Sequence, residues 1–138
     1  PRILRADGHS FSDKKQKVLH LINLASVRRL EEKLGQPVNP ARFRANIVID
    51  GAPPFSELDW VGKSLRLPGV VLSVADRTER CAATNVEPAT GIRDMELPRS
   101  LMGLYGHTDF GIYLQVESAG RIAAGDRLTV TEGAVLPF

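Results

Sequence analysis

Short β-rich runs separated by turn signals limit what this chain can fold into. Val18-Leu19-His20-Leu21-Ile22, Ile47-Val48-Ile49, Lys63 to Leu67 and Val70 to Ala75 are too brief for amphipathic helices and rich in the residues that fill pleated strands. Asp50-Gly51 closes the second run and Pro68-Gly69 turns the third into the fourth. Ile3-Leu4-Arg5 reads as a further short strand, Ile112 to Glu117 alternates, and Arg127 to Thr131 is a last strand. The expectation is a mostly β fold with minor α: six or seven short strands in a compact barrel, with hairpins closing its edges.

Two or three short helices fit between the strands. Val27, Leu30 and Leu34 recur at i, i+3 and i+7 ahead of Gly35, with Asn23 or Ser26 as candidate N-cap. Asn39-Pro40-Ala41 opens a single helical turn, and Phe55 to Trp60 is a short acidic-aromatic turn whose Phe55 and Trp60 read as core or lid residues. Leu97, Leu101 and Leu104 share one face of a helix that starts near Pro98 and ends at Gly106. Asp7-Gly8-His9-Ser10 and Ser12 to Lys17 read as turn and solvated loop. The domain plan is an N-terminal extension, 1–17, packing on a barrel of residues 18–138.

With 138 residues the chain is one domain in size. A single cysteine excludes an intrachain disulfide and any zinc site needing two thiolates from this chain. The apolar runs fall well short of the ~20 residues of a membrane helix, and the N-terminus lacks a signal-peptide core, so a cytoplasmic protein away from membranes is expected. Lys+Arg 18 against Asp+Glu 16 is too balanced to argue for nucleic acid. Of the eight Phe, Tyr and Trp residues only Phe43 lies in a basic cluster, where a base-stacking platform wants several.

The chemistry concentrates between Asp76 and Gly91, where Cys81 follows a core strand on backbone read as irregular. Arg77 and Arg80 precede it, and nearby positive charge favours the nucleophilic, metal-binding thiolate. A lone cysteine is also commonly a small buried hydrophobe. Arg42 and Arg44 form a second basic group, and if the two groups meet in space they make a local anion site. His107 and Asp109 with Ser100 invite a hydrolase triad, but Ser100 lacks the nucleophile-elbow glycines. His9 and His20 show no metal-ligand spacing, and Thr84 and Asn85 read as turn formers.

Four segments carry a resemblance. Asn-Leu-Ala-Ser-Val at 23–27, Arg-Phe-Arg-Ala-Asn-Ile-Val-Ile-Asp-Gly at 42–51, Arg-Cys-Ala-Ala-Thr-Asn-Val-Glu-Pro-Ala-Thr-Gly at 80–91, and Phe-Gly-Ile-Tyr at 110–113 with Gly-Arg-Ile-Ala-Ala-Gly-Asp at 120–126 resemble, in order and spacing, a MOSC domain, the module named for the C-terminal part of molybdenum cofactor sulfurase. The resemblance implies a β-barrel that binds the molybdenum cofactor (molybdopterin) or carries sulfur bound for it. It implies Cys81 as the molybdenum ligand and catalytic residue, with Arg44, Asn46, Arg80 and, more weakly, Ser26 as cofactor contacts. The reaction implied is two-electron reduction of an N-hydroxylated compound, with electrons from a redox partner protein. The alternative is a sulfur relay in which Cys81 takes a persulfide from a cysteine desulfurase, itself dependent on pyridoxal phosphate, without bound molybdenum. Either way a monomer is expected.

Overall fold

The computed structural model describes residues 1–6, 10–11, 18–118 and 120–131. Of the turn expected at 7–10 only Ser10 is described, and it begins a strand; the loop expected at 12–17 and the barrel's last residues, 132–138, fall outside that set.

Nine strands are described: β1 (Arg2–Ala6), β2 (Ser10–Phe11), β3 (Val18–Asn23), β4 (Ile47–Asp50), β5 (Ser64–Leu67), β6 (Val70–Glu79), β7 (Asp109–Ser118), β8 (Gly120–Arg121) and β9 (Thr129–Thr131). Seven form one curled sheet in the order β1-β4-β3-β7-β6-β5-β9, and β2 pairs with β8 beside it. The fold is therefore mostly β, as expected. Its closure has another origin: β5–β6 is the one tight hairpin between neighbouring described strands of the large sheet, and the seam is made by β1. Arg2 bridges Arg127, Ile3 N donates to Asp126 O at 2.9 Å, and Leu128 N donates to Pro1 O at 2.9 Å. The segment before residue 18 thus contributes an edge strand to the sheet.

Most pairs are antiparallel; β3 and β4 run parallel, joined through helix α1 (Leu24–Leu34). Asn23 caps that helix by accepting from Ala25 N at 3.1 Å, and Gly35 ends it with φ 70°. A 3₁₀ turn spans Pro40–Phe43 and another Ser56–Trp60.

Side chains alternate across a strand, and here both faces are used. Leu19, Leu21, Ile47, Ile49, Leu65, Leu72 and Leu114 fill the interior with the buried Trp60. On the outer face Ile22, Val27, Leu30, Phe43, Val48, Leu97 and Phe110 make a second core under α1 and helix α2 (Leu97–Tyr105). Leu97 and Leu101 are buried there, but Leu104 is 40% exposed, against expectation. The core does extend that far along the helix, but it is Tyr105, the next residue, that packs against this cluster in the last turn.

Candidate functional site

β6 runs through Glu79, so Asp76–Glu79, read as irregular from sequence, is strand; register shifts at Val74/Asp76 and Arg77/Glu79 break the alternation that would have revealed it. Cys81 follows in extended backbone (φ −116°, ψ −178°) at the entrance to a 3₁₀ turn, Ala82–Asn85. Its carbonyl accepts from Thr84 N at 3.1 Å and Thr84 Oγ1 at 2.8 Å, which fixes the turn. The thiol is exposed, so the small-buried-hydrophobe reading of this cysteine does not hold.

Cys81 lies on a cleft of about 220 Å³, whose walls also come from His20, Arg42, Arg44, Thr78 and Arg80. It opens on the outer face of the sheet: His20 alternates with the inward Leu19 and Leu21, and Phe43 at its base belongs to the outer core. The interior is filled with side chains, so the cleft lies outside the barrel.

Each arginine is held differently. Arg80 donates from Nε to Phe110 O at 2.7 Å and from Nη1 to Phe43 O at 2.8 Å, with its guanidinium carbon 5.2 Å from the Phe43 ring centroid. Burial pulls its pKa down to about 10, while Tyr113 and Cys81 act to raise it. Nη2 is buried with no partner. Gly111 makes room for this arrangement: at φ +84°, a Cβ there would stand 2.7 Å from Leu21 O and 3.0 Å from Arg80 Nη2. Arg42, only 3% exposed, pairs through Nη2 with Asp94 at 2.6 Å and Glu87 at 3.1 Å, so its charge is compensated; its Nε is without a partner. Arg44 is exposed at the mouth in a left-handed conformation, φ 51°, uncommon for a residue other than glycine.

Other residues singled out from the sequence lie elsewhere. Arg77 donates to Leu58 O at 3.0 Å and pairs with Asp109 and Asp59, lining a separate cleft with Asp76 and Glu79, so only Arg42, Arg44 and Arg80 converge beside the thiol. Ser26 is buried away from the cleft, donating to Glu57 Oε2 at 2.8 Å and accepting from Phe55 N at 2.8 Å. Asn46 does not line the cleft; its Oδ1 accepts from His20 N at 2.8 Å while its own N donates to His20 O at 2.9 Å. That side chain stands in for a backbone carbonyl where the β3–β4 ladder begins. His107 Nδ1 accepts from Asp109 N at 3.0 Å, a local turn, and Ser100 lies within α2. Among the described residues no three His, Cys, Asp or Glu side chains group as a metal site.

Sequence reasoning missed His20 and Thr78. Five described side-chain atoms are buried without a hydrogen-bond partner: His20 Nδ1, Arg42 Nε, Thr78 Oγ1, Arg80 Nη2 and Tyr105 Oη. Four of the five belong to residues lining the Cys81 cleft. Buried polar atoms are nearly always satisfied, so their convergence marks a place where polar groups are kept available for something else. The 570 Å³ cleft along Leu4–Ala6 and Arg121–Ala124 is larger but has no such atom.

The family model for the MOSC domain matches residues 7–129. Molybdenum cofactor sulfurase of Drosophila yakuba is 34% identical, over 94% of this chain and 18% of its own length. Mitochondrial amidoxime reducing component 2 of Rattus norvegicus is 32% identical, over 78% of this chain and 35% of its own. The chain thus spans about a fifth to a third of these relatives. In fold it is similar to the crystal structure of YiiM from Geobacillus stearothermophilus, with a TM-score of 0.64 at 21% identity, covering 85% of this chain and 55% of that one.

Proposed function

The chain belongs to the MOSC domain family, and from that premise we propose that it binds the molybdenum cofactor, or sulfur bound for it, through Cys81. The observation that carries the proposal is that four residues with unpartnered buried polar atoms line one cleft with the exposed Cys81. This donor set fits the cofactor. A soft thiolate suits molybdenum, and guanidinium groups suit an anionic phosphate. Cys81 would supply the sulfur ligand; Arg80, through Nη2, and Arg44, exposed at the mouth, would hold the anionic part. Asn46 acts on the same cleft by fixing the His20 backbone rather than by contact. When bound, the cofactor supplies two-electron redox chemistry, and the substrate class we propose is N-hydroxylated compounds, with electrons delivered by a separate redox protein. The residues of the chain bind and orient: Arg80 is locked by two carbonyls with Nη2 unpartnered but buried, so contact with the anionic part requires the cleft to open there.

A second reading is favoured by size. At about 220 Å³ the cleft is below the ~300–1,000 Å³ usual for small-molecule sites, which suits a small adduct on sulfur. In this reading Cys81 is a persulfide carrier: its thiolate attacks the outer sulfur of a desulfurase persulfide, the new S–S bond forms, and the desulfurase cysteine leaves as thiolate. The desulfurase, not this chain, holds pyridoxal phosphate. Both readings place a reactive single thiol in a reducing compartment, which suits a cytoplasmic monomer. No helix among the described residues is long and apolar enough to cross a membrane.

The test is the molybdenum and pterin content of protein from a molybdate-fed host, wild type beside Cys81→Ser, with intact mass under non-reducing conditions. Stoichiometric molybdenum lost in the variant supports the cofactor reading. A gain of one sulfur on Cys81 without molybdenum supports the carrier; neither signal sinks both.

A further inference from the structure

We propose that His20 Nδ1 and Thr78 Oγ1, together with Arg80 Nη2, form a receptor for an anionic group carried on the Cys81 sulfur. The inference rests on Cys81 being the working group, and it is common to both readings above: the terminal sulfur of a persulfide, or the anionic part of a cofactor held through Sγ, would each bring an electron-rich atom to the cleft.

The geometry argues for it from three sides. Thr78 is 2% exposed, lines the cleft, and has an unpartnered hydroxyl. A threonine in a strand normally satisfies its hydroxyl or meets water, and leaving it bare costs on the order of 1–3 kcal/mol. His20 is fixed by contacts that leave Nδ1 out: its backbone is clamped by Asn46, and its ring stands edge-on to Tyr113 with centroids 4.5 Å apart at 89°. Arg80 is held by two carbonyls with Nη2 to spare. Three unpartnered polar atoms, from β3, β6 and the residue just past β6, thus belong to residues that line one cleft with the thiol. The charge balance adds the sign. Arg42 is compensated by Asp94 and Glu87, whereas the two partners of Arg80 are neutral carbonyls. Arg44 and Glu79, which also line the cleft, carry opposite charges, so Arg80 leaves the cleft with a net positive charge that suits a single anion. Neutral imidazole can donate from Nδ1 in one tautomer, and a threonine hydroxyl donates freely, so each of the three can offer a proton to an anion.

The experiment measures how fast Cys81 of the intact chain is alkylated by iodoacetate and by iodoacetamide. In each reaction the Sγ–C bond forms, the C–I bond breaks and iodide leaves; the reagents differ in carrying a carboxylate or a neutral amide. Their rate ratio cancels the thiolate fraction and isolates acceptance of an anion beside the sulfur. Relative to free cysteine, the ratio in wild type is expected to be raised about tenfold or more, the size of one or two net hydrogen bonds to a charged group. His20→Phe keeps a ring against Tyr113 and loses the nitrogen; His20→Asn loses the ring and keeps a polar atom near the Nδ1 position. A receptor role makes the ratio fall in Phe and recover in Asn, whereas a packing role gives the reverse order and overturns the proposal. Thr78→Val should lower the ratio and Thr78→Ser preserve it. A wild-type ratio equal to that of free cysteine also overturns it. Absence of molybdenum and of persulfide together with a raised ratio would remove the functional reading and leave the receptor standing.

Discussion

Arg80 and Gly111 are best understood as one device. The guanidinium can lie over Phe43 and reach Phe110 O because residue 111 has no Cβ, and only glycine is at ease at φ +84°. Gly111→Ala meets both the left-handed penalty of about 1–2 kcal/mol and a contact with backbone that cannot yield. We expect a loss of roughly 2–4 kcal/mol by urea unfolding, the range of severe single-site effects, and a fall in iodoacetate preference at Cys81 as Nη2 is displaced. Arg42 presents the opposite case, a buried cation held by two carboxylates. Arg42→Ala leaves Glu87 and Asp94 without their counter-charge, and because both carboxylates reach solvent the cost should be about 1–3 kcal/mol by the same measurement. Because Arg42 Nη1 also donates to Thr84 O at 3.2 Å, the turn that presents Cys81 should loosen with it. A mild effect, under about 1 kcal/mol, would mean that this ion pair is solvated in solution.

At the scale of elements, α1 is tied to the loop after β4 through Glu57, which is fully buried. Asn23 Nδ2 reaches Ala52 O at 3.3 Å, Pro53 O at 3.0 Å and Glu57 Oε1 at 3.0 Å, while Ser26 holds the other carboxylate oxygen. Burial raises the Glu57 pKa above its ordinary 4.5, and the Asn23 and Ser26 bonds only partly offset it. The folded state therefore binds the proton more tightly than the unfolded chain. Its stabilising contribution is complete below the ordinary value and lost as pH rises through the folded one. Glu57→Gln has no proton to lose, so its stability relative to wild type should climb as pH is raised from about 4 toward 8, read from urea midpoints. A flat difference would show that the hydrogen bonds cancel the burial cost. This network also shows where sequence reading reached its limit. Asn23 and Ser26 sit at a helix start, where local rules nominate both as caps; that Asn23 alone caps while both clasp Glu57 depends on packing. Cys81, Arg44 and Arg80 were legible because motif and charge are local. His20 and Thr78 were not, because a strand residue's outlook depends on register, and on β6 two register shifts decide it.

For the molecule as a whole, the sheet's curl sets the stage and the seam between β1 and residues 125–128 completes it. Strand content and order of appearance were visible in the alternation of β5, β7 and the β-branched β4. The ring order was not, since non-local pairing leaves no local trace. The seam is a chain of backbone bonds flanked by two interior side chains, Ile3 and Leu128, each 1% exposed. If it works as a unit, the two residues share one cost. Ile3→Ala and Leu128→Ala should each lose about 2–4 kcal/mol, as buried aliphatic truncations do. Once either has opened the seam, less remains for the second to break, so the double variant should lose less than the sum by at least about 0.5 kcal/mol, the threshold at which distant sites are no longer independent. Strict additivity would show that β1 packs on the sheet edge without closing it. The Cys81 cleft lies on the outer face between β3 and β6, and the seam joins the opposite margins of the sheet. Iodoacetate preference at Cys81 should therefore survive both single truncations in the folded fraction, which separates the scaffold's closure from the site it carries.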